Sequence, residues 1–139
     1  MSKKINLQYL ISYFGSLPFI IIIFDKFFLY LFNPYIMKDF ITYYSIIIFV
    51  FIGSTNWNLK ENISNGLILQ GFFPSFCSVF IILLKLYSYE VIIYLIIIFL
   101  TQLVLDKFIY KNNFEKKVFF LLRVPLTLII VISLILIQL

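Results

Sequence analysis

The chain has 139 residues, of which 63% are hydrophobic and 12% are charged, and its formal net charge is +5. A soluble domain carries about a quarter charged residues, so this chain lacks the polar side chains that a water-facing surface needs. The composition excludes a soluble globular domain and predicts one membrane domain over residues 1–139.

Five apolar stretches follow one another along the chain. A helix that crosses a hydrocarbon core of about 30 Å needs about 20 apolar residues, and each stretch approaches that length. The stretches cover residues 7–30, 40–57, 66–84, 91–105 and 118–139. Short connections make successive helices antiparallel neighbours. We therefore predict an all-α integral membrane protein, an up-and-down bundle of five transmembrane helices.

The positive charges predict the orientation of this bundle. Alternating spans place eight cations on the side of the N-terminus and three on the other side. The eight are Lys3, Lys4, Lys60, Lys107, Lys111, Lys116, Lys117 and Arg123; the three are Lys26, Lys38 and Lys85. Because cytoplasmic loops carry the excess of Lys and Arg, we expect the N-terminus in the cytoplasm and the C-terminus in the periplasm of a bacterial inner membrane. The length of the first span and the lack of a small-residue cleavage site predict a retained helix.

The chain lacks the residues of most catalytic and metal sites. It has no His and a single Cys, so the usual zinc and haem ligand sets and a Ser-His-Asp triad cannot be assembled. We expect no catalytic residue, no metal, no cofactor and no nucleic-acid partner. The partners that remain are the lipid bilayer and another membrane protein.

The polar and small residues within the spans are the candidate binding residues. Gly53, Asn56 and Trp57 are spaced by three and four residues and share one helical face. Pro74 and Ser75 form a second patch with the neighbouring Gln70 and Gly71. Two interpretations stay open: a seam between packed helices, or the wall of a pocket for a headgroup or a quinone.

Asp106 and Arg123 are the most informative charged residues. Asp106 ends the fourth predicted span, where the negative end of the helix dipole repels a carboxylate, so we expect a cation beside it. Arg123 lies just inside the fifth span, where a charge must pair or reach the interface. The two flank one short loop, which predicts an ion pair between helix ends. Binding of an anion or a headgroup by Arg123 is the alternative.

Five elements of the chain resemble one uncharacterised family. The elements are GSLPF at 15–19, FIGSTNW at 51–57, Pro74-Ser75, Asp106, and LRVPLT at 122–127. In this order they resemble the small five-helix inner-membrane proteins catalogued as domain of unknown function 3429, which have a mitochondrial relative in animals. The resemblance implies a five-helix membrane fold and names no activity.

Two functions are compatible with these observations. The first is a non-enzymatic inner-membrane protein that binds a membrane partner, as an assembly or stability factor for a membrane complex would. The second is a binder or carrier of a small amphipath, a lipid or a quinone, through Gly53, Asn56, Trp57, Pro74, Ser75 and Arg123. An enzyme and a channel are disfavoured, because the carboxylates are dispersed and the spans offer no polar path.

Overall fold

The computed structural model describes residues 3–54 and 65–139, and this part of the chain is helical, without a β-strand. Five segments within it are long and apolar enough to cross a membrane: Tyr9–Leu29, Pro34–Ser54, Ile68–Leu86, Ile92–Ile109 and Glu115–Gln138. The helices are α1 Lys3–Phe14, α2 Leu17–Phe24, α3 Pro34–Ser54, α4 Asn65–Leu86, α5 Ile92–Ile109, α6 Asn113–Val118 and α7 Val124–Gln138, with π-helical turns at Asp25–Leu29 and Phe119–Arg123. The prediction of an all-α membrane protein with five spans is confirmed.

The second span begins earlier than predicted. We predicted a span over residues 40–57, but α3 already begins at Pro34. The side-chain oxygen of Asn33 accepts a hydrogen bond from the backbone N–H of Tyr35 at 2.9 Å, as an N-cap does. Proline is favoured at the first helical position, where its missing N–H has no partner to lose. Hydropathy located the apolar part of the helix and missed this polar first turn.

The fourth connection is also shorter than predicted. The predicted spans 91–105 and 118–139 left residues 106–117 between them, but α5 continues to Ile109 and α6 begins at Asn113. The Glu115 carboxylate accepts a hydrogen bond from the backbone N–H of Asn112 at 3.1 Å, which fixes the start of α6. Most cations of this region therefore lie on helices rather than in a loop.

The described residues form two compact units, and the single-domain assignment stays a prediction. The first unit comprises residues 3–41 and 112–139. In it, the Tyr13 hydroxyl donates a hydrogen bond to the carbonyl of Leu121, and the Lys26 ammonium group donates to the carbonyls of Leu136 and Ile137. Both contacts follow the same order along the two segments, so the first and fifth spans run parallel. A chain that crosses the membrane five times in alternating directions has its first and fifth crossings in the same direction.

The second unit comprises residues 42–54 and 65–111, with the C-terminal part of α3, and α4 and α5. Phe49 of α3 packs edge to face on Phe99 of α5, with ring centroids 5.0 Å apart. Gln70 in the second turn of α4 bonds to Asp106 in the last turn of α5. The two helices are therefore antiparallel, as their five-residue connection requires.

Candidate functional site

Gly53 and Pro74 bring α3 and α4 into direct contact, and both residues are buried. A Cβ atom placed on Gly53 would lie 2.4 Å from Cγ, 2.8 Å from Cβ and 2.9 Å from Cδ of Pro74. These separations are shorter than real Cβ contacts, so only glycine fits here without a shift. The backbone of α3 approaches the proline ring closely, and this contact leaves no room for a ligand between the two residues.

The remaining candidates on these helices are only partly described. Asn56 and Trp57 lie outside the described residues, so the direction of their side chains stays a prediction. Ser75 is half-buried beside the buried Pro74. One turn further along α4, the Ser78 hydroxyl donates a hydrogen bond to the carbonyl of Pro74 at 2.7 Å. The role of these residues in binding stays a prediction.

The described side chains that combine burial with unused hydrogen-bonding capacity lie where α4 meets α5. The side-chain amides of Gln70 and Gln102 both donate a hydrogen bond to Oδ1 of Asp106, the second at 3.0 Å. Exposure is 4% for Gln70, 2% for Gln102 and 1% for Asp106. We call these three residues the amide–carboxylate cluster.

Helical periodicity explains why the residues of this cluster share one face of each helix. Gln102 and Asp106 are four residues apart on α5 and share one face. On α4, Gln70, Pro74 and Ser78 repeat every four residues and are all buried, so the same face carries the cluster and the contact with Gly53. Asp106 lies about 5 Å from the end of α5 at 1.5 Å per residue. The cluster therefore lies one to two turns inside the helix ends, where headgroups meet hydrocarbon if these helices span the bilayer.

Two atoms of the cluster are left without a hydrogen bond. The amide oxygens Oε1 of Gln70 and of Gln102 are buried, and neither has a partner among the described residues. Buried polar groups in native structures nearly always have a partner, and an unpaired one costs about 1–3 kcal/mol. The cluster therefore has the capacity to accept hydrogen bonds from a group between these helices.

Asp106 and Arg123 are both buried, with 1% and 6% exposure, but they belong to different units. The ion pair between them therefore stays a prediction. The sequence analysis named only a cation as the group that offsets the unfavourable helix dipole beside Asp106 at the end of α5. Two amide N–H donors also do so, because each stabilises the carboxylate through a charge-assisted hydrogen bond.

The C-terminal end of the first span carries a second buried carboxylate, which the sequence analysis left among the dispersed acidic residues. Asp25 is 1% exposed, and its oxygens accept the backbone N–H groups of Leu31 and Phe32 at 3.1 and 3.3 Å. The chain turns there through Tyr30, whose φ of 53° is left-handed. Beside it, Lys26 binds the last carbonyls of α7, where a cation is favoured by the helix dipole. These bonds hold helix ends and leave little capacity for a ligand.

Sequence reasoning missed Gln102 and the role of Asp25. The available signal for Gln102 was its spacing of four residues from Asp106 within an apolar span, where a polar residue needs a partner. The signal for Asp25 was an acidic residue inside the first span. Among the described residues, no three His, Cys, Asp or Glu side chains lie together as a metal site would require.

Comparison with known proteins found no matching family model, no matching curated protein and no matching solved structure. The resemblance to domain of unknown function 3429 therefore stays a prediction. The function of the chain must therefore be inferred from its own geometry.

Proposed function

We propose that this protein is a non-enzymatic inner-membrane protein that binds a small amphipath between its helices. The observation that carries the proposal is the pair of unpartnered amide oxygens in the amide–carboxylate cluster. A polar cluster within membrane-spanning helices is costly to maintain and usually marks a binding or transport site. Its depth, one to two turns inside the helix ends, suits a polar headgroup whose apolar tail extends into the bilayer.

The enclosure of the cluster favours a small ligand over a protein partner at this place. Exposure of Gln70 and Gln102 is at most 4%, so a helix of another protein cannot reach their amide oxygens. A single polar group bound between α4 and α5 would satisfy them. Pro74 and Ser75 lie on the next turns of α4 and are the neighbouring candidates for contacts with such a ligand.

A membrane-protein partner, such as a complex whose assembly or stability depends on this chain, is the second candidate. Such a partner would contact the outward faces of the spans, because most side chains of the first, third and fourth spans are not buried within the chain. The described connections between spans are short, so a partner would have to contact the helices themselves. The amphipath remains the main proposal because it also accounts for the buried amide oxygens.

The experiment is extraction of the full chain from the membrane in polymer-bounded discs, followed by mass spectrometry of its lipids and co-purifying proteins. We expect one amphipath enriched over the bulk lipid, and its enrichment lost in Gln102→Met but kept in Gln138→Met. Gln138 is an exposed glutamine, so the control makes the same chemical change outside the cluster. A stoichiometric protein with no enriched amphipath would instead support the second candidate.

The proposed location is a bacterial inner membrane, with the N-terminus in the cytoplasm and the C-terminus in the periplasm. The excess of eight cations over three on the N-terminal side supports this orientation. The parallel first and fifth spans support an odd number of crossings, which places the two termini on opposite sides. The cluster then lies at the cytoplasmic ends of α4 and α5.

A further inference from the structure

We infer that the amide–carboxylate cluster selects a ligand whose polar group donates hydrogen bonds, namely a neutral hydroxyl-bearing amphipath, and disfavours ligands that only accept them. This inference rests on the proposed function and specifies its ligand. It separates classes that the sequence left together, because a hydroquinone or a glycerol headgroup has hydroxyl donors and a quinone has none.

The argument begins with the orientation of the two amides. Asp106 Oδ1 accepts a hydrogen bond from the NH2 groups of both Gln70 and Gln102, so it acts as an acceptor toward each amide. Rotating either amide by 180° would place its oxygen against the carboxylate oxygen, with two acceptors in contact. Asp106 therefore holds both amides with their nitrogens toward it, and this fixes the positions of both Oε1 atoms.

The two amide oxygens can still accept hydrogen bonds. Both Oε1 atoms are buried without a partner among the described residues, so each can receive at least one hydrogen bond. A ligand carbonyl placed there would leave acceptors facing acceptors, whereas a hydroxyl would satisfy them. An ammonium group also donates, but its desolvation costs far more than that of a hydroxyl, and the Asp106 oxygen that could compensate it already accepts two amide hydrogen bonds. The chemistry that fits at the lowest cost is a neutral hydroxyl or a pair of them.

Asp106 acts here as a positioning residue: it orients the two amides that would contact the ligand. Gln70 and Gln102 come from different helices, so a ligand with two hydroxyl donors would bridge α4 and α5. The hydroxyls belong either to a hydroquinone ring or to the glycerol headgroup of an uncharged lipid. The two sources share the donor chemistry and differ in the body that carries it.

The test compares donors with matched acceptors on the full-length purified protein in detergent micelles. One pair of probes is a decyl-substituted hydroquinone and its quinone; the other is 1-decanoylglycerol and its di-O-methyl ether, which has no hydroxyl donor and the same net charge. Dissociation constants are measured by native mass spectrometry. We expect at least one donor to bind about tenfold more tightly than its matched acceptor, since each hydrogen bond contributes about 1 kcal/mol. The pair that shows the difference identifies the source of the hydroxyls.

The variants test the residues. Gln70→Met and Gln102→Met should each weaken binding of the preferred donor about threefold to tenfold, while Gln138→Met should leave it unchanged. Equal binding of donors and acceptors would overturn the inference and leave the proposed function standing. Donor binding that is insensitive to both cluster variants would also overturn it. If no probe binds and a protein co-purifies instead, the proposed function fails together with the inference. The comparison of probes uses the native chain, so it decides the question even if a variant does not fold.

Discussion

The contact between Gly53 and Pro74 makes a quantitative prediction about stability. In Gly53→Ala the new methyl carbon would lie within 3.0 Å of three ring atoms of Pro74, the nearest at 2.4 Å. Carbon atoms pack best at about 3.5–4.0 Å, so the ring or the backbone of α3 must move by about 1 Å. The proline ring is rigid and buried, so the shift must be taken up by the helices.

Two opposing contributions determine how much Gly53→Ala changes the free energy of unfolding. Overpacking a buried contact costs about 1–3 kcal/mol. Alanine improves helix propensity over glycine by about 1 kcal/mol. We therefore expect Gly53→Ala to lower the free energy of unfolding by about 1 kcal/mol. The gain in helix propensity hides part of the overpacking cost, so measuring that cost requires a matched control.

Gly66→Ala is that control. Gly66 also lies in a helix of the second unit, but a Cβ atom placed there would meet no atom of the described residues within 4 Å. This variant should be as stable as the native chain or up to about 1 kcal/mol more stable. The difference between the two variants then isolates the overpacking, about 1–3 kcal/mol.

The assay is reversible unfolding in mixed micelles with increasing sodium dodecyl sulfate, followed by far-ultraviolet circular dichroism. A double-mutant cycle with Pro74→Ala completes the test, because alanine lacks the Cγ and Cδ atoms of the ring. In that background the cost of Gly53→Ala should fall but not vanish, because alanine keeps the Cβ atom that lies 2.8 Å from the added methyl carbon. Equal stability of the Gly53→Ala and Gly66→Ala variants, or a cost that does not fall without the ring, would refute the close contact of α3 and α4.

Three further predictions concern Lys26, Arg123 and the orientation of the chain in the membrane. Lys26→Met removes two hydrogen bonds to the last carbonyls of α7 and should lower the free energy of unfolding by about 1–3 kcal/mol, measured in the same micelle assay; an unchanged value would contradict the role of the ammonium group. Arg123→Met should reduce membrane accumulation, and if Asp106 is its partner, the double variant with Asp106→Asn should lose less than the sum of the two single losses; additive losses would argue against the ion pair. A reporter that is active only in the periplasm should give signal when fused after Leu139 and none when inserted at Asn113, and the reverse pattern would reject the orientation.

The sequence alone was sufficient for the fold class and for the number of spans. Apolar stretches of bilayer length appear directly in hydropathy, because a lipid-facing helix must be apolar along its whole length. Hydropathy was less reliable for the polar ends of helices. The Asn33-Pro34 start of α3 and the capping residues of α6 are local signals, and greater weight on capping would have located both starts.

The spacing between Gln102 and Asp106 was also present in the sequence, because two residues four apart on a helix share a face. Tertiary structure alone decided that Gln70, on another helix, donates to the same carboxylate oxygen. It likewise decided that Gly53 meets the ring of Pro74. Such pairings depend on how far each helix is rotated about its axis and shifted along it. Those two variables are set by the packing of side chains from several helices at once, and the pattern within a single helix does not contain them.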